Sequence, residues 1–470
     1  MENVMFNTAN LKKTYYYLKK NGIADTYNAV RERLYARTSP LYMCGYQYVP
    51  IADSELELQR NTVFKKKRVF SILVPMYETA PEFARAMIDS VCEQTYPHWE
   101  LILADASVSN KVKDVVLSYS DSRIRYVRVK ENRGISENTN VALEAASGEY
   151  IGLLDHDDLL TPDALYEVAN ALQNAELEGQ EAAFVYSDED KCDTNASIYY
   201  EPNIKPCFNF DLLLSNNYIC HFLVMKAELI KRLRFRKEYD GAQDFDLLLR
   251  AYLEKNPSDC ILNVNKVLYH WRCHELSTAA NPQSKRYAYE AGKKAAEAAL
   301  EVYLQRLHGD KQLETGESPE SAVYKDKDGI HVGHILVRVV DTKHNGFYRV
   351  EYGSQTAEDI FAVRKDIGGI IGPVIEKNKI TSGILDVNGE CPYKELPAAF
   401  SGYMHRMVLQ QECKNADKRY AVVRPGFHFD EVRLGYPFSE VSDENNKLNE
   451  DLIPCKKYKI FYEPAFKTVL

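Results

Sequence analysis

Apolar and polar residues between positions 69 and 188 alternate in a way that predicts short strands separated by amphipathic helices. Five apolar runs are predicted as strands, at 69–75, 99–104, 124–130, 150–155 and 183–187. The predicted helices open at Pro81 and at Gly134, and two more span 111–118 and 163–173. Because strands and helices alternate across short loops, this part of the chain predicts an α/β fold. The expected sheet is mostly parallel and covered by helices on both faces.

The rest of the chain divides where this pattern changes. Residues 1–63 are predicted as an N-terminal helical segment, and 64–308 as the main domain, whose regularity fades from about 190 to 275. An alanine-rich helix is predicted over 284–307, stopped by Gly309, and the polar stretch 309–328 is predicted as a linker. Residues 329–470 are predicted as a smaller C-terminal α+β region with β-like runs at 330–340, 347–352 and 370–375.

Composition is typical of a globular protein, since 45% of the 470 residues are hydrophobic and 27% are charged. The chain has no run of 18 apolar residues, and its first twenty residues show no apolar stretch next to a cleavage site. These features predict neither a membrane span nor a secretory signal and favour a cytoplasmic location. The ten scattered cysteines lack metal-ligand spacing and are predicted to be reduced thiols.

Charge is unevenly distributed. The net charge is −9, yet residues 1–70 hold 12 Lys/Arg and 6 Asp/Glu, which gives +6 and leaves −15 for the remainder. The acidic remainder argues against nucleic acid as the main partner. The basic N-terminal helix has two interpretations, which are peripheral contact with the inner face of the plasma membrane or packing on the main domain. The second interpretation is favoured.

The fourth predicted strand ends in the acidic sequence Asp155-His156-Asp157-Asp158. Asp155 and Asp157 are spaced i, i+2, so both side chains point the same way from an extended backbone. Mg²⁺ or Mn²⁺ takes one or two such carboxylates and completes its shell with substrate phosphate oxygens and water. The cluster therefore predicts a metal and diphosphate site. The alternative is a cap for the next helix, a role that Asp163 already fills.

The end of the first predicted strand, Pro75-Met76-Tyr77-Glu78, carries no glycine-rich turn. A dinucleotide site needs G-x-G-x-x-G at this place and a P-loop needs its Lys-Ser/Thr, and the chain contains neither motif. Substrate phosphates are therefore expected to be neutralised by a metal. The second strand ends at Asp105, which suits a hydrogen bond from a pyrimidine N3–H or a ribose hydroxyl, and equally suits a turn.

Further carboxylates open a predicted amphipathic helix at Asp240, Asp244 and Asp246. Helix capping explains one of them, and Asp244 is the candidate general base that takes a proton from an acceptor hydroxyl. His270 and Arg272 follow an apolar strand, where His270 is a candidate metal ligand and Arg272 a candidate phosphate clamp. A lone histidine is more often structural, and that alternative stays open for His270.

These residues, in this order, resemble the family 2 glycosyltransferases, in particular bacterial cell-surface polysaccharide enzymes. The resemblance extends from about residue 64 to 308. It is carried by SILVPMY at 71–77, QTYPHWE at 94–100, NRGIS at 132–136, LDHDD at 154–158, YSDE at 186–189, NNYICH at 216–221, GAQDFD at 241–246 and YHWR at 269–272. It implies the A-type glycosyltransferase fold, which has a Rossmann-like sheet.

The resemblance implies that domain 64–308 is catalytic. It would transfer a sugar with inversion from a nucleoside-diphosphate sugar, of UDP or dTDP, to a glycan or lipid-linked acceptor, with Mn²⁺ or Mg²⁺ as cofactor. The resemblance implies that Asp105 contacts the nucleobase and Asp155 the ribose. It also implies that Asp155, Asp157 and His270 bind the metal, and that Asp244 acts as the general base. The other implied donor-binding residues are Pro75, Tyr77, Glu78, Arg133 and His156. The implied acceptor-binding residues are Asp188, Glu189, Asn216, His221 and Gln243.

The C-terminal region resembles the middle of a second such domain, through IIGPV at 370–374, LP at 396–397 and GYM at 402–404. It lacks the acidic strand end and is therefore predicted to be a truncated domain that does not bind a sugar nucleotide. Packing, homodimer formation and acceptor recognition are its three candidate roles. Two other functions stay open for the chain, namely a sugar-nucleotide nucleotidyltransferase and a non-catalytic scaffold derived from a transferase.

Overall fold

A nine-stranded mixed sheet forms the centre of the computed structural model, which describes residues 8–274, 286–309, 322–386, 388–427 and 458–470. Its strands are β1 Phe70–Met76, β2 Trp99–Asp105, β3 Ile124–Arg128, β4 Tyr150–Leu153, β5 Leu159–Leu160, β6 Ala182–Cys192, β7 Tyr199–Asn203, β8 Leu223–Lys226 and β9 Cys260–Arg272. The strand order is β3-β2-β1-β4-β8-β6-β9-β5, and β7 pairs with β6. Strands β1 to β4 are mutually parallel, as predicted, and β8 runs antiparallel to both β4 and β6.

Helices cover both faces of the sheet. They are α1 Thr8–Ala36, α2 Asp53–Arg60, α3 Pro81–Cys92, α4 Lys111–Val116, α5 Ile135–Ala145, α6 Ala164–Leu177, α7 Phe210–Ser215, α8 Ala227–Leu233, α9 Gln243–Glu254, α10 Arg286–His308 and α11 Ala357–Val363. Successive β1 residues alternate between two apolar cores, since Leu73 packs in one and Ile72 and Val74 pack in the other. Burial on both faces explains why the parallel strands are continuous apolar runs.

The predicted loss of regular structure between 190 and 275 is wrong. Strands β7, β8 and β9 lie in this part of the chain, and β9 pairs along most of its 13 residues with β6. Two features concealed the first half of β9, upstream of the apolar strand that the sequence predicts before His270. Asn263 and Asn265 interrupt its apolar pattern, and Lys266 follows them directly. Strands β8 and β9 therefore make the sheet wider on this side of β4 than the sequence pattern predicted.

The C-terminal region is rich in short strands. Strands β10 Val323–Lys325, β11 Ile330–Val332, β12 Ile335–Asp341 and β13 Tyr348–Tyr352 form an antiparallel sheet. Smaller sheets contain β14 Ile367–Ile371, β15 Val374–Glu376, β16 Lys379–Ser382, β17 Ile384–Leu385, β18 Gln411–Cys413, β19 Asn415–Ala416, β20 Val422–Val423, β21 Lys459–Tyr462 and β22 Thr468–Val469. The predicted run 330–340 is two strands, because the chain turns at Gly333 with a φ of 59°. Strand β10 lies within the predicted linker, and linker residues 310–321 lie outside the described residues.

Buried charges join the C-terminal region to the main domain. The Arg364 guanidinium lies 2.7 Å from a carboxylate oxygen of Asp211 on α7, and 2.9 Å from one of Asp366. Lys459 lies 2.7 Å from the other oxygen of Asp211. The Arg364 side chain is wholly buried. Because all four groups are paired away from water, this cluster holds the two regions in one arrangement.

The N-terminal helix α1 packs on the C-terminal region. The Lys20 ammonium donates hydrogen bonds of 2.8 Å to the side chain of Asn345 and 3.3 Å to the Thr342 carbonyl. Asp25 lies 2.7 Å from the ammonium of Lys343. These contacts engage Lys20, one of the basic residues on which membrane contact would depend. None of the described helices has both the length and the apolar character required to cross a bilayer.

Candidate active site

The acidic sequence after β4 lies at the carboxyl end of the parallel strands. Asp158 is buried and accepts hydrogen bonds from the Tyr269 hydroxyl at 2.6 Å and from the Arg272 backbone N–H at 2.7 Å. Burial, followed by the negative charges of Asp157 and Asp155, raises the pKa of Asp158 well above its usual value. Asp158 therefore anchors the loop to β9. The Asp155 side chain stays half exposed in the cleft.

Asp157 lies between two histidines. One of its carboxylate oxygens is 2.8 Å from Nε2 of His274, and the other is 3.7 Å from Nδ1 of His156. That His156 nitrogen is buried without a hydrogen-bond partner. Within the described ranges, no lysine or arginine forms an ion pair with Asp155 or Asp157. Uncompensated carboxylates beside imidazole nitrogens fit a divalent cation such as Mn²⁺ or Mg²⁺.

His270 has a different environment from the one expected of a metal ligand. Its Nδ1 atom is 2.5 Å from a carboxylate oxygen of Asp190, and its ring packs 4.5 Å from Tyr48 and 4.4 Å from Tyr199, between ring centroids. In the described part of the chain, the two groups of three residues whose ligand atoms come together are Asp155, Asp158, His221 and Glu189, Cys220, His221. The structure thus places His274, which the sequence analysis missed, beside Asp157.

His221 connects the two sides of the cleft. Its Nδ1 atom is 3.1 Å from a carboxylate oxygen of Glu189, and its Nε2 atom is 3.7 Å from one of Asp155. Its ring stacks on Tyr269, with the ring centroids 4.5 Å apart. Burial raises the pKa of Glu189, but the charges of Lys205 and His221 outweigh this effect and lower that pKa to about 2. Glu189 is therefore an ionised, internal partner of His221.

Asp244 lies in the first turn of α9 and belongs to the same cleft. Its carboxylate accepts a 2.7 Å hydrogen bond from the Asn217 side chain. The Cys220 sulfur lies 3.9 Å from the same carboxylate and 3.5 Å from Nε2 of His221. Burial raises the pKa of Asp244. A positioned carboxylate with a raised pKa suits a general base.

The two acidic residues that flank this candidate base have structural partners. Asp240 accepts a 3.2 Å hydrogen bond from the Ser136 backbone N–H at the start of α5. Asp246 is buried and forms ion pairs with Arg236 and with Arg250, the second at 2.7 Å. These partners account for both residues, and neither of them caps α9, whose N-cap is Ala242.

The other predicted acceptor-binding residues differ in their availability. Asp188 is buried and accepts a 2.7 Å hydrogen bond from the Lys205 backbone N–H, and burial raises its pKa to about 6. Gln243 accepts a 2.8 Å hydrogen bond from the Gly241 N–H. The side-chain oxygen of Asn216 is buried and has no hydrogen-bond partner. Asn216 therefore keeps a free acceptor atom, whereas Asp188 is used inside the protein.

The predicted donor-binding residues after β1 lie at the same end of the sheet. Glu78 accepts hydrogen bonds of 2.7 Å from the Val108 N–H and 2.9 Å from the Ser109 N–H. Glu78 thereby ties the loop after β1 to the loop after β2. Tyr77 is half exposed beside it, and Pro75 lies within β1. An acidic residue thus holds the place where a phosphate-binding loop would be basic or glycine-rich.

Asp105 and Arg133 are engaged with neighbouring side chains. The Asp105 carboxylate is fully buried and accepts hydrogen bonds from the Tyr126 hydroxyl at 2.7 Å and from Arg128 at 3.0 Å. Arg128 is 40% exposed, so this hydrogen-bonded group of side chains reaches the protein surface. Arg133 forms an exposed ion pair with Glu131 at 2.9 Å. The contact of Asp105 with a nucleobase stays a prediction.

The chain is similar to known proteins over part of its length. Residues 71–234 match the family model for "Glycosyl transferase family 2". An uncharacterized protein, y4gI of Sinorhizobium fredii, is 41% identical over 269 residues, which are 56% of this chain and 28% of y4gI. The O-antigen biosynthesis protein RfbC of Myxococcus xanthus is 31% identical over 234 residues, 49% of this chain and 18% of RfbC. The chain therefore spans less than a third of either relative.

A third relative is matched over most of its own length. The UDP-Glc:alpha-D-GlcNAc-diphosphoundecaprenol beta-1,3-glucosyltransferase WfgD of Escherichia coli is 28% identical over 215 residues, 45% of this chain and 79% of WfgD. The sheet and its acidic cleft define an A-type glycosyltransferase fold, as predicted. The domain that contains residues 71–234 belongs to glycosyltransferase family 2.

Proposed function

We propose that the chain transfers a sugar from a nucleoside-diphosphate sugar, with UDP favoured, to a glycan or lipid-linked acceptor with inversion at the anomeric carbon. The observation that carries this proposal is the convergence of two carboxylates on one cleft. Asp155, from the end of β4, lies 3.7 Å from His221, and His221 lies 3.5 Å from Cys220. Cys220 in turn lies 3.9 Å from Asp244 at the start of α9.

The donor half of the cleft is the acidic loop after β4. Asp155 and Asp157 would hold Mn²⁺ or Mg²⁺, and we assign His274 rather than His270 as the neighbouring imidazole, because His274 contacts Asp157. When bound, the cation would stabilise negative charge on the departing nucleoside diphosphate. The half-exposed Asp155 leaves room for phosphate oxygens to share the same ion.

The acceptor half is the surface around Asp244. Asp244 would accept the proton of the attacking hydroxyl, with its carboxylate oriented by Asn217. In an inverting displacement the nucleophile enters on the side opposite the leaving group. Asp244 and the acidic loop lie on different elements with His221 between them, which is consistent with that requirement.

The relatives suggest the biological setting. WfgD is named for transfer of glucose from UDP-Glc to an undecaprenol-diphosphate-linked sugar, and RfbC for O-antigen biosynthesis. By analogy, we assign the chain to bacterial cell-surface polysaccharide synthesis at the cytoplasmic side of the membrane. Peripheral membrane contact through α1 and homodimer formation remain predictions from the sequence.

The loop after β1 favours sugar transfer over nucleotidyl transfer. A nucleotidyltransferase would need a basic, glycine-rich loop there, whereas Glu78 occupies the loop and binds the Val108 and Ser109 N–H groups. The two reactions also release different products. A nucleotidyltransferase exchanges pyrophosphate, and a glycosyltransferase releases a nucleoside diphosphate.

A product-release assay tests the proposal. The chain is incubated with a panel of nucleotide sugars, candidate lipid-linked acceptors and Mn²⁺ or Mg²⁺, and nucleoside diphosphate and pyrophosphate are both measured. We expect diphosphate release from one donor class, its loss in Asp157→Ala, and its retention in the control Asp121→Ala, since Asp121 pairs locally with Arg123. Pyrophosphate as the product, or undiminished release by Asp157→Ala, would contradict the proposal.

A further inference from the structure

We propose that Tyr403 and Arg406 of the C-terminal region are positioning residues for the acceptor side of the active site. Both lie in a short 3-10 helix, Tyr403–Val408, which packs against the end of β7 and the loop that follows it. This proposal rests on the proposed glycosyl transfer and adds to it a role for the C-terminal region. Neither residue touches the cleft, so each would act through the loop.

Tyr403 and Arg406 clamp the backbone at two points, at Pro202 near the end of β7 and at Ile204, the first residue of the loop that follows. The Tyr403 hydroxyl donates a 2.6 Å hydrogen bond to the Pro202 carbonyl and accepts one of 3.0 Å from the Ile204 N–H. The Arg406 guanidinium donates a 2.6 Å hydrogen bond to the Ile204 carbonyl. The loop backbone is thus held by three hydrogen bonds from side chains about 200 positions away in sequence. Bonds to a charged donor are the stronger kind, so Arg406 is the firmer half of the clamp.

The next residue in the chain, Lys205, carries the effect toward the cleft. Its side chain is fully buried, and its ammonium lies 3.3 Å from a carboxylate oxygen of Glu189. The ammonium also donates hydrogen bonds to the carbonyls of Ile219, at 2.5 Å, and of His221. Its backbone N–H donates to Asp188 at 2.7 Å. Lys205 therefore joins the clamped loop to β6, which carries Asp188 and Glu189, and to the segment before β8, which carries Ile219 and His221.

Glu189 passes this constraint to the histidine that faces the donor half. Asn203, the last residue of β7, lies between the two clamped residues, and its side-chain amide donates a 3.1 Å hydrogen bond to Glu189. Glu189 in turn accepts a 3.1 Å hydrogen bond from the His221 backbone N–H, and the His221 ring reaches toward Asp155. Displacing a catalytic group by about 1 Å can lower a rate by about 10²-fold. Loosening the loop should thus affect transfer before it affects the fold.

Two variants with matched controls test the clamp. Tyr403→Phe removes only the hydroxyl, and Arg406→Ala removes the guanidinium. Tyr420→Phe and Arg419→Ala are the matched controls in the same C-terminal region. Arg419 is exposed and pairs with Asp417. For both clamp variants we expect kcat/KM for the acceptor to fall by about tenfold or more. Donor KM, acceptor-independent donor hydrolysis and the thermal midpoint should stay near wild type, and Arg406→Lys should restore part of the rate.

Unchanged acceptor kcat/KM in both clamp variants would overturn the proposal. An equal loss of donor hydrolysis and of transfer would also overturn it, because it would indicate general damage. A wild-type chain that turns over no donor would instead refute the proposed function. In that case amide hydrogen exchange still decides on the clamp, since Arg406→Ala should speed exchange of the His221 N–H, and an unchanged exchange rate would reject the clamp.

Discussion

Asn217 donates a 2.7 Å hydrogen bond to the carboxylate of Asp244 in the first turn of α9. The same side chain accepts a 3.1 Å hydrogen bond from the Cys220 N–H. One amide therefore fixes the orientation of the candidate base relative to the loop that carries His221. The candidate base is thus held by the segment between α7 and β8 and not by the acidic loop after β4.

Replacing Asp244 by Asn should separate catalysis from donor binding. Asn keeps the shape of the side chain but cannot accept a proton, so kcat should fall by about 10²- to 10⁴-fold while the donor Kd stays near wild type. Steady-state kinetics and calorimetry measure the two quantities. Glu254→Gln at the exposed end of the same helix is the control. A kcat equal to wild type would remove Asp244 as the base.

His274→Ala and His270→Ala should have different effects. His274 contacts Asp157, so its loss should raise the Mn²⁺ concentration for half-maximal activity by about 10- to 100-fold. Loss of His270 leaves Asp190 buried without its imidazole partner, which should lower stability and leave the Mn²⁺ requirement unchanged. Mn²⁺ titration of activity and thermal unfolding test both statements. The reverse pattern would restore His270 as the ligand.

Strand alternation explains the environment of His270, whose role as a metal ligand stays a prediction. Neighbouring residues of β9 point to opposite faces of the sheet. Tyr269 points to the acidic loop, where it contacts Asp158 and stacks on His221. His270 therefore points away from them and meets Asp190 of β6. Without the full extent of β9, the sequence pattern could not show which face of the sheet each of these residues lies on.

Other features of the fold and of the site could be predicted from the sequence. Strands β1 and β2 begin and end within one residue of their predicted bounds, because apolar runs with abrupt polar ends mark buried parallel strands. Asp244 was a candidate because three carboxylates exceed what one helix start needs, and its role as the base stays a prediction. The contacts of Lys205 with Ile219 and His221 could not be predicted, because no local sequence pattern indicates them.

Arg364→Met should strongly destabilise the chain. The substitution leaves the buried Asp211 and the partly buried Asp366 with one remaining cation, Lys459, and breaking such a buried pair costs about 3–5 kcal/mol. Arg338→Met is the control, because the exposed Arg338 pair with Glu351 should contribute roughly 0–1 kcal/mol. Chemical denaturation measures both free energies of unfolding. Equal losses would show that the buried cluster does not join the two regions.

Stability should fall as the pH drops below about 6.5, because two stacked histidines lie under α1. The rings of His344 and His405 are 3.8 Å apart between centroids. Burial lowers the pKa of both, and with the help of His344 it lowers that of His405 to about 3. For His344, Glu32 and Asp25 oppose this lowering, and Lys20 and Lys343 add to it. A lowered folded-state pKa means that the unfolded chain binds protons first, so stability is complete above about 6.5 and is lost below it.

Each imidazole should contribute up to about 1.4 kcal/mol per pH unit in this range. The free energy of unfolding is measured between pH 5 and 8 for wild type and for His405→Gln, which should show a shallower slope. His334→Gln, at an exposed position, should keep the wild-type slope. Equal slopes in wild type and His405→Gln would contradict the account of this site.

The most direct test of the two-part cleft is calorimetric titration of the donor nucleotide sugar with and without Mn²⁺. We expect wild type and Asp244→Asn to bind the donor tightly only when Mn²⁺ is present, because the acidic loop, and not the candidate base, would hold the diphosphate through the cation. Asp157→Ala should bind the donor weakly under both conditions. Donor binding by wild type that is equally tight without a divalent cation, or Mn²⁺-dependent binding that survives in Asp157→Ala, would contradict this account.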